Sequence, residues 1–314
     1  MSDYQPIEIK GFYRSHTHLP VWEVIEKAGI WKQLEIKASF EYCDSSSVAE
    51  AALFDGDVDF VSGNHISPYG LVAEGKPIVS LASPSNSVND KLIARAPIKS
   101  VGELRGKRLA DTTVTDKGGG YNHIRGNHML YVLKAGLKLD EVKWVEIADI
   151  MSESFRAAQL EAVREGKADA AMVTGGAEKF QQDGFHVLEL GRMPMVNGPT
   201  LTSTLTNLKR KDRLAERLVK GLVLGIHWAR SNPDETERVL GALRQCTPES
   251  NATYNSVAKL LPKPYPDHQA IANAYELCCM KDPKAKELSP VALWDLHYLR
   301  ELDDSGFIDR LYGA

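Results

Sequence analysis

A chain of 314 residues is long for one compact core and comfortable for two domains. With 43% apolar residues, 25% charged residues and 15 prolines, its composition is that of an ordinary globular protein and excludes a disordered or fibrous chain. The formal net charge of −4, with no long basic stripe, excludes nucleic acid as an expected partner.

The start, Met1 to Pro6, has neither a basic stretch nor an apolar run after it. The expected location is therefore the cytoplasm, or the periplasm if a signal peptide has been removed. No apolar run reaches the length of a membrane span, so no membrane insertion is expected. Cys43, Cys246, Cys278 and Cys279 lack zinc-site spacing and read as reduced structural thiols.

In chain order, Ile7–Phe12 alternates as a strand, and Pro20 opens a helix that stops at Gly29. Ile36–Tyr42 is a second alternating strand, and Ser47-Val48-Ala49-Glu50 reads as a capping box for the next helix. Asp57–Val61 and Ile78–Ala82 read as further strands, and the chain leaves this unit near Leu92–Arg95. A second unit follows, with strands at Arg108–Ala110, Lys143–Ile147, Ala168–Val173 and Val187–Leu190, a helix after the glycines and another at about Glu153–Glu165. Leu201–Thr206 reads as the return crossing. Beyond it the pattern is helical: roughly Asp212–Ser231, Pro233–Arg244, Tyr254–Leu261, Pro266–Cys278 and Pro290–Ser305. Strands alternating with short helices imply largely parallel sheets covered on both faces. The expected lobes are residues 1–95 with 205–314, and residues 96–204.

Histidines crowd the strand-to-helix junctions: His16 and His18, His65, then His123 and His128 after Gly118-Gly119-Gly120. In an open α/β sheet that junction is where ligands bind, and imidazole is the side chain that titrates nearest neutral pH. Taken singly, each reads as a loop histidine bonded to backbone; together they suggest acid–base groups at one opening. His16-Thr17-His18 with His65 has no carboxylate at a ligand spacing, so no metal site is expected. His123 and His128 lie about 140° apart on a helix and make no chelating pair. Ser45, Ser46 and Ser47 at one helix start and Thr174-Gly175-Gly176 at another offer hydroxyls and N–H groups beside positive dipole ends, where an anion binds. Simple capping is the plainer role of such residues.

Several phrases resemble the type II periplasmic-binding-protein superfamily, in its NMT1/THI5-like and sulfonate/taurine-binding branch: Leu19-Pro20 through Trp31, Ala51 through Phe60, Ala73-Glu74-Gly75-Lys76-Pro77, Leu104 through Ala110, Gly166 through Ala171 and Asp304 through Asp309. The resemblance implies an α/β, two-lobed fold with a ligand cleft between the lobes and a helical C-terminal region. It implies cleft-lining loops that hold His16–His18, Asp44–Ser47, Gly63 to His65, Thr112–Tyr121 and Thr174–Ala177.

Tyr13-Arg14-Ser15-His16, with Gly63 through Pro68 and Ala73-Glu74-Gly75, also resembles the hydroxybiphenyl sulfinate desulfinases, which use this fold without a transporter. That family carries a nucleophilic cysteine where His16 stands and an arginine where this chain has Val61-Ser62, so desulfination is not expected. The cysteine-rich motif and lysine of a related thiamine-pyrimidine synthase branch are absent too, and no cofactor is expected.

Two readings follow. The histidine crowding and the missing signal sequence favour a cytoplasmic enzyme for a small organic acid, a decarboxylase or other lyase. Its catalytic groups would be His16, His65 and His123. Its substrate would be held by His18, Asp44, Ser45, Ser46, Ser47, Asn64, Thr112, Thr113, Gly120, Tyr121, Thr174, Gly175 and Gly176. The whole-chain resemblance favours the alternative, an ABC-transporter-type solute-binding protein for a sulfonate, carboxylate or other small anion, with a permease as partner.

Overall fold

The structure, a computed structural model, describes residues 6–63, 66–113, 122–147 and 153–313. Its strands in chain order are β1 (Ile7–Tyr13), β2 (Ile36–Tyr42), β3 (Phe60–Ser62), β4 (Ile78–Ala82), β5 (Ser85–Val88) and β6 (Asp90–Ala94). They continue as β7 (Arg108–Asp111), β8 (Lys143–Glu146), β9 (Ala170–Thr174), β10 (His186–Glu189), β11 (Met193–Asn197) and β12 (Leu201–Thr204). The chain forms two compact units, one running up to Asn86 and resuming at Val196, the other between Ser87 and Met195.

The first unit holds a five-stranded sheet in the order β2-β1-β3-β12-β4. β1 runs parallel to β2 and to β3, and β12 is antiparallel to β3 and β4. The chain steps from β1 out to β2, then back across β1 to β3. That reversal makes the carboxyl ends of β1 and β3 a topological switch point, where open α/β sheets bind ligands. Gly11 is required by this pairing: it lies opposite Phe60 in register, and a Cβ on it would stand 2.6 Å from the Phe60 ring. The core beneath packs the helix Leu19–Lys27, through Val21, Val24 and Ile25, against the helix Leu214–Ser231, through Leu218, Leu222 and Ile226.

The second unit repeats the scheme in a sheet ordered β10-β6-β9-β7-β8. β7 runs parallel to β8 and β9, while β6 is antiparallel to β9 and β10. Its switch point falls between β7 and β9. Ile93, Ala110, Val163, Val173 and Phe180 belong to its own apolar core. Gln159 ties the two central strands by donating to Ala110 O and Met172 O, each at 3.2 Å.

Some elements differ from the sequence pattern. Asp90–Ala94 pairs in the second sheet, although the alternation assigns it to the first lobe. Leu201–Thr204 is an integral strand of the first sheet, although the sequence pattern places residues up to 204 in the other lobe. Both are antiparallel strands placed by pairing with distant segments, which local periodicity does not report. The helix expected over Pro290–Ser305 forms only from His297 to Asp304.

Candidate functional site

In the first unit, β1, β2 and β3 end together and deliver three short loops. Ser62, the last residue of β3, is the hub. Its carbonyl accepts from Arg14 N and from His18 Nδ1, each at 3.0 Å, and its hydroxyl accepts from Trp22 Nε1 at 2.8 Å. Gly63 then turns at φ 106°, and a Cβ there would meet His18 Cε1 at 2.9 Å and the Arg14 side chain at 3.1 Å. This close approach of backbone to two side chains is what the glycine permits.

His18 was expected to contact substrate. The structure buries it and commits Nδ1 to the Ser62 carbonyl. Burial lowers its pKa to about 4, against the stabilising Ser62 bond and with the Arg14 charge adding to the fall, so the ring is neutral near pH 7. It is a structural clamp rather than a proton donor. His16 packs by its ring, stacked on Tyr42 at 4.1 Å between centroids and edge-on to Tyr13 at 5.7 Å. Its Nδ1 is buried with no hydrogen-bond partner among the described residues.

Arg14, within the Tyr13–His16 phrase, is not among the site residues that the sequence predicts. Nη1 donates to Cys43 O at 2.9 Å and Nη2 to Ser46 Oγ at 2.8 Å, so one guanidinium spans the ends of β1 and β2. The signal was available: a half-buried cation immediately after a core strand, in a loop otherwise made of Ser, Thr and His. Ser45, not Ser47, caps the helix Ser46–Asp55, accepting from Val48 N at 3.3 Å. The expected capping box on Ser47 does not form because Ser47 already lies inside the helix; Glu50 accepts from Ser67 Oγ at 2.6 Å. Ser46 is buried, Asp44 and Ser45 are half-buried, and Ser47 is exposed with its hydroxyl 3.1 Å from that of Ser45.

In the second unit, Thr112 follows β7 with its side chain fully buried. Its Oγ1 accepts from Asn122 Nδ2 at 3.0 Å, its carbonyl from Arg125 Nη1 at 2.9 Å, and its N–H donates to Asp111 Oδ1 at 2.7 Å. It is a support and not a surface contact, with Thr113 the next, half-buried residue. Asn122 caps the helix His123–Lys134, accepting from Arg125 N, and His123 is that helix's half-buried first residue. Thr174 ends β9, exposed, and accepts from Arg156 Nη2 at 3.2 Å. Gly175 and Gly176 lead into the short helix Ala177–Gln182, and Gly176 caps it without a side-chain bond. Asn64, His65, Gly120 and Tyr121 lie outside the described residues. His16 and His123 belong to different units.

Among the described residues, no group of three His, Cys, Asp or Glu side chains is placed to hold a metal ion. No helix among them is long and apolar enough to cross a membrane.

Comparison with known proteins bears on what this scaffold does. A family model described as NMT1/THI5 like matches residues 27–236. No curated protein sequence matches the chain. Among solved structures, the periplasmic sulfonate-binding protein SsuA of Methylobacillus flagellatus KT superposes with a TM-score of 0.66 at 13% identity, over 98% of this chain and 96% of that one. The periplasmic aliphatic sulphonate binding protein SsuA of Escherichia coli gives 0.63 at 16% identity, over 92% and 99%. The desulfurization enzyme DSZB gives 0.61 at 14% identity, over 95% and 99%. At such identities the likeness establishes the fold, which carries both binding proteins and an enzyme. The expected cytoplasmic decarboxylase or lyase is overturned: the family match and the sulfonate-binding relatives favour solute binding. With the model covering well over half its length, this chain belongs to the NMT1/THI5-like family and has the α/β periplasmic-binding-protein fold.

Proposed function

We propose that the protein is an ABC-transporter-type solute-binding protein for a small organic anion with a sulfonate or carboxylate head. The observation that carries this reading is Arg14. A guanidinium braced by Cys43 O and Ser46 Oγ stands at the switch point of the first sheet, beside a histidine kept neutral by burial. A braced planar cation suits a planar or tetrahedral oxyanion, because its donors are already oriented and little further entropy is lost on binding. Asp44, Ser45 and Ser47, at the end of β2 and the start of the helix Ser46–Asp55 in the same unit, are the proposed surrounding contacts. The sulfonate-binding relatives support the head-group class. On this reading the protein works outside the cytoplasm and hands its ligand to a permease.

Calorimetric titration and thermal shift with a series of alkanesulfonates and matched carboxylates test the proposal, with NMR of the recovered ligand. The expected result is saturable binding of at least one sulfonate or carboxylate, which returns chemically unchanged. Binding of none, or conversion of the bound compound, overturns it.

A further inference from the structure

A buried ionic cluster under Thr112 takes no direct part in this picture. His128, in the helix His123–Lys134, donates from Nδ1 to Asp111 Oδ2 at 2.8 Å, while its Nε2 faces Asp90 Oδ2 at 3.8 Å. Asp111 ends β7 and Asp90 begins β6, so one imidazole spans two strands of the second sheet. Arg125, one turn earlier, places Nε 4.0 Å from the same Asp111 oxygen and stacks on the Trp144 ring at 3.6 Å. All four ionisable side chains are buried. Lys91, beside Asp90, is drawn to Glu189 of β10 at 3.3 Å. Tyr131, on the same helix, lies 3.5 Å from Asp90 N and donates to Gly191 O at 3.0 Å. The short helices Val101–Leu104 and Leu139–Glu141 also pack here, but their acids face elsewhere: Glu103 accepts from Lys99 N, Glu141 pairs with Arg105, and Asp140 is exposed.

With both aspartates ionised, the two acids and two bases balance when His128 carries its proton. Burial by itself lowers the basicity of the ring, but Asp111, through charge and hydrogen bond, and Asp90, through charge, outweigh it against the opposing Arg125. The net pKa stands above the usual histidine value. Burial raises the Asp90 carboxyl, with the His128 charge working against that rise. The same Asp111 carboxylate that binds His128 receives the Thr112 N–H on its other oxygen.

We propose that His128 is a positioning residue: as an imidazolium between Asp111 and Asp90 it fixes Asp111, and through it Thr112 and the cap Asn122, thereby linking anion binding to the uptake of a proton. The proposal rests on the solute-binding reading for its ligand half alone. Linkage is reciprocal, so an anion that favours the arrangement also strengthens the hold on the proton. Affinity then falls as pH rises through the His128 titration, by at most tenfold per pH unit for one proton.

The test has two arms. In ligand-free protein, imidazole 15N–1H NMR follows His128 while hydrogen exchange follows the Thr112 amide. His128 is expected to titrate above 6.5, with Thr112 protection lost over the same range; Asp90→Asn should move both midpoints down together. Calorimetry with ethanesulfonate in two buffers of different ionisation enthalpy then reads proton uptake, expected in the wild type and abolished in His128→Gln. A merely structural histidine would change melting temperature and leave uptake and pH profile intact. Uptake unchanged in His128→Gln, or Thr112 protection that ignores the His128 titration, overturns the proposal. If ethanesulfonate does not bind, the head-group reading fails for that probe, and the exchange arm alone decides the positioning role.

Discussion

His18 and His128 are both buried imidazoles, and their partners give them opposite pH behaviour. His18 bonds a neutral carbonyl, and burial lowers its pKa to about 4. A base whose folded pKa is depressed stabilises fully above its unfolded value and loses that contribution as pH falls. The His18 contribution is therefore expected to vanish between pH 6.5 and about 4, at a cost on the order of 3 kcal/mol. Urea unfolding at pH 7.5, 5.5 and 4.5 measures it, and His18→Asn, which keeps a donor for the Ser62 carbonyl, should flatten the slope. An equal slope in that variant refutes the assignment. His128, raised by its two aspartates, stabilises fully below 6.5 and loses its contribution as pH rises above that value. On the proposed reading, Arg14 also serves binding. A charge-assisted hydrogen bond is worth roughly 1.5–3 kcal/mol, so Arg14→Gln should weaken sulfonate or carboxylate affinity by about 10- to 100-fold. Arg14→Lys should recover part of this, because charge returns without the planar fork. Unchanged affinity in a folded Arg14→Gln protein removes Arg14 from the site.

At the scale of elements, close approach decides which residues are tolerated. Gly221 and Gly225 lie one turn apart on the helix Leu214–Ser231; a Cβ at Gly225 would stand 2.3 Å from Ile25 Cγ1, and one at Gly221 2.6 Å from Trp31 Cζ3. Alanine gains about 1 kcal/mol of helix propensity over glycine, but overpacking a filled core costs about 1–3 kcal/mol. Gly225→Ala is therefore expected to lower the melting temperature despite its better propensity, as calorimetry would show; a rise would mean that the Leu19–Lys27 helix yields easily. Much of this architecture was legible in the sequence, because β1, β2 and the long helices carry their periodicity on their surface. β5, β6 and β11 were not, since strands of four or five residues show too few alternations and β6 is buried throughout. The antiparallel placement of β12 is a long-range choice. The candidate site can be proposed from the sequence to the level of loops, because strand-to-helix junctions announce themselves. It was not legible to the level of roles: nothing local distinguishes a hydroxyl that faces ligand from Thr112, which is spent on Asn122, or His18, which is spent on Ser62.

At the scale of the whole chain, each five-stranded sheet is assembled from strands of one unit. β6 to β10 pair only among themselves among the described residues, and they share an apolar core that includes Ile93, Val163, Val173 and Phe180. The connecting strands β5 and β11 form a separate two-stranded ribbon. A segment that owns its hydrogen-bond ladder and its core meets the conditions for folding alone. Residues 87–195, expressed as a fragment, are therefore expected to unfold cooperatively on heating and to show near-ultraviolet circular dichroism. The fragment keeps Asp90, Asp111, Arg125 and His128 together, so its His128 ring should titrate on the same high side of 6.5 as in the full chain. The two readouts separate different failures. A fragment without cooperative unfolding shows that the second unit depends on the first for stability. A folded fragment whose His128 titrates as an ordinary histidine shows that the buried charge balance is set from outside the unit, against the pairing of Asp111 and Asp90 with one imidazole.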